Sequence, residues 1–339
     1  MKYGRIIYCK SFGMNSINLG DYAQTFAIDY IYEQMGIPKS DIIDIMYEEI
    51  CSYNGEHVTL PMNAYCGYMK KTPLIPTSNK INPVFIGFHT ISNKYFDNNN
   101  FWKHHSPIGC RDESTFLEMK KHNYNAFISG CMTILFPRRT QEPKTPRTFI
   151  IDAHHAVYNY IPKHIMDHAE FLSQEIEIDL TKGNVEAATN NEKKAREYYE
   201  RLRNEATLVI TSRLHCAAPC VAMGIPVILV KKSFDERFSW LDKYLPFYTP
   251  DKYDIIDWSP IALNIETEKK TILEMAISML DDSHKQKYIN EVHSLYNNRN
   301  REQICTPFFL KCFNMLMQKS PRLAMFIREK ILSRFTIKS

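Results

Sequence analysis

The densest chemistry in the chain lies at Thr211-Ser212-Arg213-Leu214-His215. This segment follows an apolar run of strand length, Thr207-Leu208-Val209-Ile210, and opens a helix expected to end near Gly224, ahead of Pro226. A guanidinium, an imidazole and the free amides of a helix start, gathered at one strand-to-helix turn, suit an anion carrying phosphate or carboxylate. The plainer alternative is a capped helix start with a hydrogen-bonded histidine. In the anion-binding reading, Ser212 joins Arg213 and His215. The same architecture recurs at Gly109-Cys110-Arg111-Asp112-Glu113-Ser114. There Asp112 caps a helix, Ser114 stays near its first turn, and Arg111 has no local acidic partner beyond that cap. A third such turn, Asn18-Leu19-Gly20-Asp21, is either a cap with a turn glycine or a place where Asp21 takes or holds the proton of a sugar hydroxyl. His154, beside His155 and after Asp152, forms a fourth cluster, and because adjacent side chains point apart at most one of the pair faces a ligand. Asp235 and Arg237, in SFDERFSWL, either contact substrate or pair with each other.

These residues need elements that bring them together. Short apolar runs alternate with helical patterns through most of the chain, which predicts α/β layers with mainly parallel strands. Strands are expected at residues 5–8, 84–88, 107–110 and 126–129, with helices over Asp21 to Met35 and Asp112 to His122. Residues 137–147, PRRTQEPKTPR, read as an exposed linker. Beyond it the pattern restarts with strands at 148–152, 175–180, 207–210 and 226–230, and a charged helix from Glu192 to Asn204. The expected domains are thus 1–140 and 148–290, with a helical, basic, amphipathic tail over 291–339. In such folds ligands sit outside the C-terminal ends of strands, here in a cleft between the two domains.

Composition narrows the function classes. The 339 residues are 44% hydrophobic and 24% charged, a globular mixture, and no apolar run approaches the ~18 residues that span a bilayer. The sequence reads as one without a secretory signal. Its nine cysteines, an odd number, then argue for a reducing compartment. No C-x-x-C occurs, Cys216 and Cys220 lack the histidine spacing of a zinc site, and neither common glycine-rich phosphate loop is present, so no metal is expected. The formal charge is +4, of which residues 305–339 hold +6, leaving the rest slightly acidic; nucleic acid is a poor partner for such a body. Within the tail, Leu323, Phe326, Ile327, Ile331 and Phe335 recur at helical spacing. That stripe packs on the body with its charges solvated, the reading favoured here, or rests on anionic lipid.

Taken together, Asn18-Leu19-Gly20-Asp21, Arg111-Asp112-x-Ser114, Ser129-Gly130-Cys131 and above all TSRLHCAAPCVAMGIPVILV at 211–230 resemble the polysaccharide pyruvyl transferase family, over roughly residues 5–240. His154-His155 departs from the family's pattern. The resemblance implies two Rossmann-like domains facing a cleft, similar to GT-B glycosyltransferases. It also implies transfer of pyruvate from phosphoenolpyruvate to a hydroxyl pair, forming a cyclic ketal on a hexose, typically galactose, of a bacterial surface polysaccharide or its lipid-linked repeat unit. By the same resemblance Arg213 and His215 bind the anion, and Arg111-Asp112 and Gly20-Asp21 match the family's other two turns. On this scheme His215 is the general acid, Asp21 the base or positioner, and the two arginines hold phosphate and carboxylate. Phosphoenolpyruvate is a co-substrate, and neither cofactor nor metal is required. Two other readings stay open: a GT-B-type glycosyltransferase using a nucleotide sugar, and a non-catalytic sugar-binding or scaffolding member of a polysaccharide assembly complex. All three place the protein in the cytoplasm, at the inner face of the membrane, with the tail as its peripheral contact.

Overall fold

The computed structural model describes residues 1–11, 16–67, 74–181 and 183–297. The expected basic tail lies outside the described residues from 298 onward, and Met1–Asn297 form one compact unit. Along the chain the first half runs β1 (Lys2–Ile7), β2 (Ser16–Asn18), α1 (Leu19–Gln34), β3 (Ile42–Met46), β4 (Val58–Pro61), β5 (Ile81–Val84), β6 (Ile86–Phe88), α2 (Asn99–His104), β7 (Ile108–Cys110), α3 (Glu113–Lys121) and β8 (Ala126–Ile128). The second half follows with β9 (Arg147–Ile151), α4 (Lys163–Met166), β10 (Ala169–Leu172), β11 (Glu175–Glu177), α5 (Asn184–Glu205), β12 (Ala206–Thr211), α6 (Leu214–Met223), β13 (Val227–Val230), β14 (Phe247–Tyr248), α7 (Glu266–Leu280) and α8 (Gln286–Asn297).

The strands form a mixed α/β protein with several parallel sheets, as the alternating pattern predicts. In the first half the order is β3-β1-β4-β5, and β6-β7-β8 continues beside it. The two are joined at a kink: Gly87 adopts φ +88°, open to glycine at little cost, while the Gly109 amide donates to the Phe85 carbonyl at 2.9 Å. Strands β3 and β4 are absent from the sequence expectation, although β4 is wholly buried. In the second half the order is β10-β9-β12-β13-β14, all parallel. The strand of that sheet is Ala169–Leu172, not the 175–180 segment expected; residues 175–177 instead pair antiparallel with β2. In each sheet the first strand is flanked by the next strand on one side and a later one on the other, β3 and β4 around β1, β10 and β12 around β9. The chain reverses direction there, and such switch points open a crevice at the strands' C-terminal ends.

One hydrophobic core joins both halves, from Ile6, Ile45 and Leu60 through Ile28 and Ile31 of α1 to Leu202, Val209 and Val221. A smaller cluster, with Ile150, Ile210, Ile228 and Val157, fills a second region of the latter sheet. Among the described residues no helix is long and apolar enough to cross a membrane.

Candidate active site

The turns singled out by sequence converge. Helix α1 starts at Leu19, and its cap is Asn18, whose Oδ1 accepts from the Gly20 amide at 2.9 Å. Asp21 therefore sits inside the first turn rather than opening the helix. Gly20 is required by close approach: a Cβ there would stand 3.0 Å from the Cβ of His215 and 3.1 Å from Gln174 Oε1. This brings the start of α1 against the start of α6. The His215 carbonyl accepts from the Tyr199 hydroxyl at 2.6 Å and from Gln174 Nε2 at 3.3 Å, which fixes the backbone that carries the imidazole.

Burial pushes the Asp21 carboxyl up to about 7, against the pull of Arg111, Arg213 and Arg237. The His215 imidazole goes the other way: burial, reinforced by Arg111 and Arg237, holds it well below the ordinary histidine range. At neutral pH Asp21 thus carries a proton about half the time and His215 is neutral, the reverse of the acid and base expected from sequence. Arg111 is 2% exposed. Its Nε donates to the Gly87 carbonyl at 3.1 Å and its Nη2 to Gln24 Oε1 at 2.5 Å, and among the described residues no carboxylate lies within ion-pairing distance of it. A buried guanidinium satisfied only by neutral oxygens retains its full charge for a ligand.

Arg213 differs from the expectation of a free anion clamp. Its Nε donates to Asp152 Oδ2 at 2.8 Å, and Glu175 Oε2 lies 3.5 Å from its Nη2. Asp152 is held in place by the Gln174 amide, which donates to Oδ2 at 3.0 Å, and by its own left-handed backbone at φ +45°. Arg237 pairs with Asp235 at 2.7 Å, and Lys231, absent from the sequence reading, pairs with the same carboxylate at 2.7 Å. The Asp235 hydrogen bonds thus go to neighbouring cations, which hold its carboxyl below the usual range despite burial. Arg237 nonetheless reaches the electrostatic field of both Asp21 and His215.

Three other expected ligands are occupied locally. The Ser212 hydroxyl donates to the Val230 carbonyl at 2.6 Å, and the Ser114 hydroxyl to Asp112 Oδ1 at 2.6 Å. His154 Nδ1 lies 3.0 Å from the Tyr253 hydroxyl. Asp112 caps α3 as predicted, accepting from the Thr115 amide at 2.9 Å. Burial works against its charge, but His89, Ser114 and Thr115 together hold its carboxyl below the usual range. Sequence reasoning passed over His89, Tyr65 and Gln24. The first two stand just beyond the ends of β6 and β4, the positions that the strand-end rule marks.

Two solved structures are similar to the chain. An uncharacterized protein from Klebsiella pneumoniae subsp. pneumoniae NTUH-K2044 is 18% identical, covering 73% of this chain and 93% of that one at a TM-score of 0.42. A candidate UDP-N-acetylglucosamine 2-epimerase from Listeria monocytogenes is 13% identical, covering 91% of this chain and 97% of that one at a TM-score of 0.37. No curated protein matches the chain. The family comparison meets the site directly, because Arg111, Asp112, Arg213 and His215 all fall inside the matched stretch: residues 86–231 match the model of the Polysaccharide pyruvyl transferase family.

Proposed function

We propose that the protein transfers pyruvate from phosphoenolpyruvate to a pair of hydroxyls on a hexose, of galactose type, in a surface polysaccharide or its lipid-linked repeat unit, and that the product is a cyclic ketal. The observation that carries this reading is Arg111, a buried cation with no ion-pair partner among the described residues, whose charge acts on Asp21 and His215 and which lies, like His215, in the stretch that matches the pyruvyl transferase model. Phosphoenolpyruvate brings a phosphate and a carboxylate, which Arg111 and Arg237 hold across a cleft between the two sheets, with Arg213 reaching it when Asp152 or Glu175 releases it. The protonated Asp21 donates to the methylene carbon C3, which makes C2 electrophilic. One sugar hydroxyl oxygen then bonds to C2. The second hydroxyl oxygen bonds there as the bond from C2 to the phosphate oxygen breaks. His215, neutral, receives one of the two hydroxyl protons. Overall one hydroxyl proton restores Asp21 and the other leaves with inorganic phosphate.

The test is phosphate release from phosphoenolpyruvate with galactose-containing lipid-linked or aryl glycosides, followed by mass spectrometry of the acceptor. Phosphate release together with one pyruvate ketal on the sugar is the expected result. Binding of nucleotide sugars without phosphoenolpyruvate would replace this reading with glycosyl transfer, and binding of neither with the scaffolding role. Arg111→Lys keeps the charge but loses the planar fork. It is expected to raise KM for phosphoenolpyruvate by about 10- to 100-fold, the loss of one or two charge-assisted hydrogen bonds.

A further inference from the structure

Of the two hydroxyl protons that the reaction above releases, His215 takes the one that restores Asp21, and no residue named so far carries the other from the sugar oxygen to phosphate. His89 stands just past the end of β6, next to β7, the strand that Arg111 follows, and is 1% exposed. Its Nδ1 lies 2.5 Å from Asp112 Oδ2 and 3.2 Å from Thr115 Oγ1, whereas its Nε2 is buried with no hydrogen-bond partner among the described residues. The Asp112 carboxylate can only accept, so Nδ1 is the nitrogen that donates to it, and Nε2 is the one left to face a ligand. Leaving a buried polar atom without a partner is costly, so its retention calls for a reason. The ring of Tyr65, 37% exposed, lies over the imidazole with centroids 5.4 Å apart. Arg237 ties this pair to the site, because it feels Tyr65 and Asp112 on one side while Asp21 and His215 feel it on the other.

We propose that His89, oriented by Asp112, is the base for the acceptor, and that Tyr65 is the aromatic platform for the acceptor's pyranose ring. The inference rests on the pyruvyl-transfer reading. When the acceptor seats, Tyr65 swings off the imidazole and stacks on the apolar face of the sugar. Nε2 then takes the hydroxyl proton as the sugar oxygen bonds to C2. The resulting imidazolium, neutralised by Asp112, returns that proton to the departing phosphate. The orphaned nitrogen is thus the acceptor's partner, and the Asp112 cap of α3 doubles as its orienting group.

His89→Asn separates base from scaffold, since the asparagine amide replaces Nδ1 toward Asp112 and nothing replaces Nε2. We expect kcat for ketal formation to fall by about 100-fold or more, with the Kd for phosphoenolpyruvate and the thermal midpoint unchanged. A rate within about threefold of wild type overturns the proposal. A second measurement does not depend on the reaction: carbethoxylation of native protein by diethyl pyrocarbonate, mapped to His89 by peptide mass spectrometry. His89 is expected to react, and to react about tenfold faster in Tyr65→Ala, because the reagent attacks an unprotonated nitrogen that the tyrosine covers. If the wild-type protein forms no ketal with any acceptor, the pyruvyl-transfer reading fails, and the labelling alone decides. A His89 that stays unmodified in both native proteins overturns its role as a cleft-facing base.

Discussion

At the scale of single residues, the site is organised by opposite displacements of two groups that lie in the field of the same arginines. Asp21 is raised from 3.8 to about 7 and His215 is lowered, so below about pH 7 the carboxyl keeps a proton that an ordinary aspartate has lost, while the imidazole stays neutral near pH 7. The raised carboxyl has a consequence for stability. Between its unfolded and folded values the native state binds a proton that the unfolded chain has lost, so stability is full below about pH 4 and falls as pH rises through about 7. Three pH units correspond to about 4 kcal/mol at most. Asp21→Asn removes that loss. Urea midpoints should show the variant gaining on wild type from about pH 4 to about pH 7 and levelling off above that, and a gap that does not grow in this range would mean the carboxyl is ordinary. Activity should weaken on the alkaline side in the same range, because the ionised carboxylate has no proton for C3.

Helix starts and strand ends are the elements that place these groups, and Gly20 is where their packing is tightest. An alanine in a helix is ordinarily worth about 1 kcal/mol over glycine. Here its Cβ would stand 2.9 Å from Asn18 Oδ1, the cap itself, and 3.0 Å from the Cβ of His215. Steric conflict should win: Gly20→Ala is expected to cost roughly 1–3 kcal/mol in urea unfolding and to lower phosphate release, since His215 must shift. A stabilised variant with full activity would show that α1 and α6 have room to part. The same elements show how far sequence carries. Strand β12 followed by Arg213 and His215, and strand β7 followed by Arg111 and Asp112, were legible because apolar runs end abruptly in charged residues and a helix follows. Strand β3 was hidden because it is half-exposed, reading IIDIM without a buried run, and β4 because Pro61 in VTLP reads as a turn. Losing β4 also lost Tyr65 just after it. The pairing of Arg213 with Asp152 was invisible for another reason: the two are 61 positions apart and meet only because β9 and β12 lie side by side.

On the scale of the molecule, the two halves with their sheets are expected to behave as one cooperative body although the sequence reads as two α/β halves joined by an exposed linker. Several segments cross between them. Strand β2 pairs with β11 at Ile17 and Ile176. Tyr22 on α1 donates to the Ala188 carbonyl on α5 at 2.7 Å, and Asn191 Nδ2 donates to the Cys9 carbonyl at 2.9 Å. Arg5 on β1 binds Glu192 on α5 at 3.0 Å, with Asp29 and Asp44 completing its shell. Lys269 on α7, nearly buried, donates to the Phe136 carbonyl at 2.8 Å and the Ala222 carbonyl at 3.3 Å, one before the linker and one after it. On α8, His293 Nδ1 accepts from the Ile128 amide at 3.1 Å, so that the chain's later helices brace the first sheet. With the core continuous through these contacts, neither sheet can open without exposing the other's apolar face. Native-state hydrogen exchange tests this without altering the protein. The slowest amides of β1 and β4 should converge with those of β9 and β12 on a single opening free energy as urea rises. A persistent gap of more than about 1 kcal/mol would make the halves separate folding units. The site between Asp21 and His215 would then be held by hinge contacts alone, and phosphoenolpyruvate should close that gap by binding both halves at once.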